Sequence, residues 1–316
     1  MLETINFKIT ELNDNERLRL KKRIFAAITI ASKCGQAITY DEIAQLLPQV
    51  SIEINVKDFI QTEAGILEEI SIQNQLITLK GYEHLFDERP HREQVSIQKF
   101  LAGIVFADSL LRSKSHIKLL AVCGSVAYGA ATDKDDIDIF LVSQKNRMWI
   151  TFAKSLLLAR ILNGKKMPDG RRPEFCLSYV QDEKNFIHEA VMHRGLLSAR
   201  ELLSVKVLAG SRFYHNVLIN MEWLKQFLPS LYTSKVNSEA IAEIDEPYNN
   251  SLVLSISNTI IYILLGNYLR FKALIKNLSF KKKSKFKDLF EAKITKGSCV
   301  YNSERYKELE KMYAFI

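Results

Sequence analysis

Apolar residues recur at helical spacing through "ERLRLKKRIFAAITIAS", residues 16–32, which predicts an amphipathic helix. Next comes "TYDE" ahead of "IAQLL". Thr39 as N-cap and Glu42 reaching back to it make a capping box, so a second helix starts there and Pro48 closes it. Val56, Phe59, Ile60, Leu67 and Ile70 share one side of a third helix over 55–70, and the alternation in "ISIQNQLITL" predicts a hairpin turning at Asn74. A polar stretch with Pro90, residues 87–97, reads as a linker.

Three helices followed by a hairpin is the order of a winged helix, so residues 1–90 read as a winged-helix-like module. The charge of its third helix argues against duplex DNA as a partner. Residues 51–70 hold Glu53, Asp58, Glu63, Glu68 and Glu69 against Lys57 alone, and such a surface is repelled by the phosphates whose neutralisation supplies most DNA affinity. A structural or protein-contacting role follows.

Beyond the linker the periodicity alternates: helix over 97–113, strand over 117–123, short helix over 125–130, strand over 137–143, helix over 148–162, a Gly-, Pro- and Lys-rich loop, then strand over 174–180. Residues 95–195 therefore read as a central α/β core with a short mixed sheet. From 196 to 316 nearly everything reads helical, which predicts a helical C-terminal domain and an α+β chain of three parts. Within it, "SLVLSISNTIIYILLGNYL" at 251–269 is apolar enough to suggest a membrane span, but Ser251, Ser255, Asn258, Thr259 and Gly266 form one polar stripe. That pattern predicts a core helix and no membrane span.

Composition refines this picture in two places. The four cysteines, Cys34, Cys123, Cys176 and Cys299, lie far apart without ligand spacing, so a zinc site or disulfide scaffold is not indicated. A reducing cytoplasm fits, as does the lack of a leader pattern at the start. The net charge of +8 is concentrated, because residues 270–293 hold nine Lys or Arg against Asp288 and Glu291. That run reads either as a landing site for an anionic partner or as a solvated face.

The chemistry is carried by "CGSVAYGAATDKDDIDIFLVS", residues 123–143. Strand alternation puts Asp136 and Asp138 on one face while Ile137, Ile139 and Leu141 pack on the other. Two carboxylates so placed can bind hard cations such as Mg²⁺, or can simply sit at a solvated strand end. Ahead of them Gly124 and Ser125 end a strand, where backbone N–H groups and the hydroxyl can hold phosphate oxygens and Gly124 lets them approach.

Gly-Ser, ten residues and then Asp-Ile-Asp-Ile, with strands on either side, resembles the signature of the DNA polymerase β-like nucleotidyltransferase superfamily. The wider pattern, with "RMWIT", "FCLSYV" and "SARELL", is similar to prokaryotic nucleotidyltransferase-domain proteins. The resemblance implies a nucleotidyltransferase core in which Gly124 and Ser125 take the triphosphate and Asp136 and Asp138 hold two Mg²⁺ ions. It also implies a third carboxylate on a neighbouring strand. In "EFCLSYV" that position carries Cys176 and Ser178, which leaves Glu174 at the strand start as the candidate, with Asp182 and Glu183 next in line. Arg147, Lys165, Lys166, Arg171 and Arg172 are candidate phosphate clamps or solvated loop residues. Asp133 and Asp135 read as turn formers, His188 and His193 have no evident ligand partner, and Trp149 and Trp223 read as core.

The expectation is a cytoplasmic, Mg²⁺-dependent enzyme that moves a nucleoside monophosphate from an NTP to an unidentified acceptor, protein, RNA or small molecule, and releases pyrophosphate. Catalysis would rest on Asp136, Asp138 and Glu174. Two alternatives stay open: a nucleotide-binding pseudoenzyme, and a winged-helix regulator whose central domain senses nucleotide. Residues 1–95 alone are predicted not to shift duplex DNA at low salt; sub-micromolar affinity in an anisotropy titration would favour the regulator.

Overall fold

The computed structural model describes residues 12–50, 55–113, 116–165, 170, 172–238, 251–284 and 289–313. The readings for Glu53, Lys166, Arg171, Lys285, Lys287 and Asp288 lie outside them.

Helix α1 (Asp14–Lys33) starts at a capping box of its own, in which the Asn13 side chain accepts from Glu16 N at 3.0 Å. After β1 (Ile38–Thr39), the box foreseen at Thr39 and Glu42 is present and opens α2 (Tyr40–Leu46). The single helix predicted over 55–70 is two, α3 (Val56–Thr62) and α4 (Ala64–Leu67). Glu63 interrupts them, and its carboxylate accepts from Arg17 Nε at 2.9 Å. Strands β2 (Ile70–Gln73) and β3 (Leu76–Leu79) form the expected hairpin, turning at Asn74 and Gln75 with φ of 51° and 67°, both in the left-handed region that a two-residue primed turn requires. The small sheet is ordered β1-β3-β2 and covers a core that includes Ile24, Ile28, Phe59, Ile60 and Ile77.

The predicted linker is instead part of α5 (His84–Leu111), a 28-residue helix with Pro90 inside it. The polar side chains that suggested a linker hold the helix together and anchor it. Arg89 pairs with Glu93 at 2.8 Å and Arg92 with Glu88 at 2.6 Å along the helix, while Arg89 also reaches Glu42 and Arg92 donates to Ala130 O at 3.0 Å.

Next come β4 (Ile117–Val122), α6 (Gly124–Tyr128), β5 (Ile137–Ser143), α7 (Met148–Asn163), β6 (Phe175–Asp182), α8 (Glu183–Met192), α9 (Leu196–Ser204), β7 (Lys206–Ala209), α10 (Ser211–Ile219), α11 (Glu222–Phe227) and α12 (Pro229–Asn237). The chain continues with α13 (Leu252–Ile261), a π turn (Tyr262–Gly266), α14 (Asn267–Lys282), β8 (Phe290–Thr295), β9 (Ser298–Ser303) and α15 (Glu304–Tyr313). The chain is thus α+β, with a mixed sheet ordered β7-β4-β5-β6-β9-β8. Strands β5 and β6 are parallel, joined through α7, and every other neighbouring pair is antiparallel.

Half of that sheet comes from the part of the chain expected to be helical. This corrects the reading of 196–316 as a helical domain, because β7, β8 and β9 complete the sheet begun by β4, β5 and β6. In β8 the apolar set Phe290, Ala292 and Ile294 alternates with Glu291, Lys293 and Thr295, a period of two masked by the preceding lysines.

Helices α5, α7, α13 and α14 lie on one face of the sheet, around Phe106, Leu141, Trp149, Phe152 and Leu269. The other face packs Phe140, Phe186, Leu197, Trp223 and Leu224 with Ile30 of α1. Trp149 and Trp223 are both buried, as read.

Two helices are long and apolar enough to cross a membrane by length and composition, α5 and the continuous run 252–282. The second corrects the expectation of a core helix, because it is largely exposed and the face it turns to the domain is the polar stripe. Asn258 is fully buried, and its Oδ1 accepts from Trp149 N at 2.8 Å and Ile150 N at 3.2 Å, satisfying amides at the start of α7 that have no intrahelical partner. Arg147, also buried, donates to Ser255 Oγ at 2.8 Å and Ser251 O at 3.1 Å. Replacing Asn258 by Leu is predicted to destabilise the chain by about 2–3 kcal/mol, since two buried amides lose their acceptor. Chemical denaturation checks this, and an unchanged midpoint would show that the amides find another partner.

Candidate functional site

Strand β4 is buried along most of its length and delivers the chain to Cys123, whose amide donates to Asp138 O at 3.0 Å. The β4–β5 ladder therefore runs on to the first residue of the Gly-Ser turn. Gly124 has φ +66°, and a Cβ there would lie 2.8 Å from Asp138 Oδ2. Both the left-handed backbone and the adjacent carboxylate demand glycine.

On the other side of β5, the parallel register sets Ile137 opposite Phe175 and Asp138 opposite Cys176, and Ile137 N donates to Glu174 O at 2.7 Å. Glu174 thus comes beside Asp136, and Cys176 beside Asp138. The register slips between Asp138 and Phe140, so period-two counting along β6 fails after Cys176. Gly124 and Ser125 at the end of β4, Asp136 and Asp138 at the start of β5, and Glu174 ahead of β6 thus lie at one end of the sheet.

The acids are electrostatically crowded. Burial pushes the Asp138 carboxyl up to about 6, opposed by a hydrogen bond from the Cys176 thiol and reinforced by repulsion from Asp136, Glu201 and Asp135. Asp136 is also raised, by burial first, then by a hydrogen bond that its protonated form donates to Glu174 and by repulsion from that carboxylate. Burial and Asp138 together push the Cys176 thiol up to about 12. Among the described residues no three His, Cys, Asp or Glu side chains form a ready-made metal-binding group.

An open cleft of about 350 Å³ is lined by Asp136, Asn163, Arg172, Glu174, Phe175 and Cys176. A smaller hollow of about 100 Å³ adjoins it and shares Arg172 and Glu174. Lys99 lines that hollow, is itself buried, and donates to the carbonyls of Asp135 and Asp133, which folds the acidic turn around its ammonium. Asp135 accepts from Thr132 N at 2.7 Å, the turn-forming role read from sequence. Lys99 and Asn163 were missed. The available signal for Lys99 was a lysine on the stripe of Val95, Gly103, Phe106 and Leu110, the buried face of α5.

Three candidates are removed by position. Asp182 lies at the far end of β6, opposite Ser143, and caps α8 by accepting from Asn185 N at 2.9 Å. Glu183 accepts from Lys145 N at that same end. Arg147 is the buried strut to Ser255 and Ser251, away from the cleft.

Behind the turn lies a buried polar group. The Tyr128 hydroxyl of α6 donates to Glu201, and the Arg200 guanidinium stacks 4.6 Å from the Tyr128 ring centroid. Arg200 also donates to Gln36 Oε1 at 2.7 Å, and Gln36 donates to Tyr128 O. Burial raises both Tyr128 and Glu201.

The raised carboxyl of Asp138 favours the folded state while protonated. That contribution is fully present below its ordinary value of 3.8 and lost as pH rises through about 6. Asp138→Asn is therefore predicted to be more stable than the parent chain at pH about 7.5, by on the order of 2 kcal/mol, with the gain gone by pH about 4. Urea midpoints across this range test it, and equal midpoints at neutral pH would show that the carboxylate carries no such penalty.

No family model, no curated protein and no solved structure matches this chain.

Proposed function

We propose that this chain is a Mg²⁺-dependent nucleotidyltransferase of the DNA polymerase β-like kind, which moves a nucleoside monophosphate from an NTP to an acceptor hydroxyl and releases pyrophosphate. The observation that carries this reading is the packing of the left-handed Gly124 against the Asp138 carboxylate. That packing brings a phosphate-accepting turn and a cation-binding acid into contact. Mg²⁺ suits the donor set, because it keeps much of its shell as water and substrate phosphate and needs only one or two protein carboxylates.

Asp136 and Asp138 would hold the ions, whose charge, once bound, offsets that of the triphosphate and the leaving pyrophosphate. For Asp136 the repulsion from Glu174 outweighs the attraction of Lys99, and Asp138 is raised further by Asp136, Glu201 and Asp135, which leaves the site short of positive charge. The Gly124–Ser125 turn offers its backbone N–H groups and the Ser125 hydroxyl to the terminal phosphates, and Arg172 faces the same cleft. Glu174, which lies within hydrogen-bonding reach of Asp136, would take the proton of an acceptor hydroxyl. The cleft volume falls within the range of small-molecule sites. Free cysteines fit a cytoplasmic setting.

The order of α1, α2, α3 and the β2–β3 hairpin supports a winged-helix-like front module. Its link through Gln36 and Arg200 to α6 supports a structural role rather than duplex DNA reading. A second reading, a nucleotide-binding pseudoenzyme, is favoured by one observation: the residue in register with Asp138 is Cys176, where a third acid would stand.

Titration calorimetry should show Mg²⁺-dependent binding of ATP or another NTP, with the metal-dependent part lost in Asp136→Ala and in Asp138→Ala. Ser125→Ala should weaken binding by about 1–3 kcal/mol. Equal affinity with and without Mg²⁺ would sink the two-carboxylate role. Glu174→Gln should keep NTP binding yet lower label transfer from α-³²P-NTP to lysate fractions by roughly 100-fold or more. Transfer at background in the unmutated chain, with binding intact, would favour the pseudoenzyme.

A further inference from the structure

We infer that the outward face of the 252–282 helix docks on an anionic phospholipid surface, lying flat along it. This inference stands apart from the nucleotide site. Asn258, Gly266, Leu269 and Ala273 are the buried stripe of that helix. The opposite stripe should be polar in a helix on a water-facing surface, yet it carries Leu252 at 78% exposure, Ile256 at 61%, Leu264 at 69% and Phe271 at 62%. Helix α7 packs beside α13 and adds Leu157 at 63% and Ile161 at 50%. Single exposed apolar residues are ordinary, but a continuous ridge over a 31-residue helix, about 46 Å long, marks an interaction surface.

Charge selects the occupant. Residues 251–284 contain Arg270, Lys272, Lys276, Lys281, Lys282 and Lys283 and no Asp or Glu, and 145–165 of the adjoining α7 region also lacks acids. A second copy of this face would bring basic helix against basic helix. An apolar ridge on a helix that itself carries six cations and no acid is complementary to a bilayer surface with anionic headgroups.

The helix lies along the surface because it is tied to the domain over its length. Asn258 caps α7, Arg270 donates to Ile294 O at 2.7 Å, and Asn277 donates to Phe290 O at 2.7 Å and accepts from Phe290 N at 3.2 Å. Insertion across a bilayer would break each of these bonds and strand Asn258 and Arg147 in hydrocarbon.

The test is flotation of the full chain with vesicles of phosphatidylcholine alone, or with roughly one quarter phosphatidylserine. Binding to the anionic vesicles, weakening as salt rises, is expected. Leu264→Glu with Phe271→Glu, both on exposed positions, should lower partitioning on the order of a hundredfold or more. Lys272→Ala with Lys281→Ala and Lys282→Ala should lower it on the order of a hundredfold on anionic vesicles only. Circular-dichroism melts establish that each variant is folded, and the lysine variant, which touches no packed position, keeps the test decisive if the glutamate variant is not. No binding at low salt, or binding that neither variant weakens, overturns the inference. So does equal affinity for soluble polyglutamate, which would point to an acidic protein. Dimers in sedimentation velocity that the glutamate variant dissociates, with no vesicle binding, would assign the ridge to a second copy.

Discussion

The contact between the Asp138 carboxylate and the backbone of Gly124 is what the core is arranged to hold. It is unfavourable by itself: a carboxyl pushed up to about 6 is one whose charged form the fold does not solvate. Two ladders enforce it. The antiparallel β4–β5 pairing places Cys123 opposite Asp138 and so puts the next residue, Gly124, over its side chain, while the parallel β5–β6 pairing closes the other side with Cys176. Ile137, Ile139 and Leu141 anchor β5 from the opposite face, so the acids cannot turn away without exposing a core strand.

The front module is joined to this contact by a short chain of buried polar groups. Gln36 leaves the end of α1 and donates to the Tyr128 carbonyl; Arg200 holds Gln36 and covers the Tyr128 ring; Glu201 takes the Tyr128 hydroxyl. The members hold one another in sequence, though the Nε of Arg200 has no hydrogen-bond partner among the described residues, and such a network is rigid only while its links persist. Its location on α6, immediately after Ser125, means that the small three-stranded sheet and its helices brace the turn. The acids Asp58, Glu68 and Glu69 of the same module remain outside that brace.

Local signals carried far in this sequence where neighbours in the chain decide the structure. The capping box at Thr39 and Glu42, the turn at Asn74, the strand from Ile137 and the convergence of Gly124 with Asp138 were all legible, because each depends on a few consecutive residues or on one strand pairing with the next. Three features were not. Pro90 ordinarily ends a helix, but Arg89 and Arg92 on either side find partners both along α5 and on Glu42 and Ala130, and these bonds outweigh one missing amide. Strands β7, β8 and β9 are short and separated by helices, so their membership of the sheet rests on pairing with distant β4 and β6, which periodicity cannot express. The 251–269 stripe was legible, but the core helix expected from it is a largely exposed one, because amphipathicity says which residues share a face and not which face the domain will claim. Here the orphan amides of α7 and the buried Arg147 claimed the polar one.

The sheet also sorts the acids from the apolar side chains under the helical layer. Alternation along β5 sends Asp136 and Asp138 to the face that carries Phe140 and Val142, and Ile137, Ile139 and Leu141 to the face covered by α5, α7, α13 and α14. The apolar ridge is the outside of that helical layer, and at its α7 end Ile161 lies two residues from Asn163, which lines the cleft with Asp136. The basic end of α14 is not remote from that cleft either. Asn277 is bonded to Phe290, which pairs with Ser303, and β9 runs antiparallel to β6, so this end of the helix lies toward the Phe175 end of the sheet, where Glu174 and Asp136 stand. The lysines of α14 thus add positive potential on the side of the cleft where Asp136 and Glu174 stand, opposite in sign to the carboxylates crowded there.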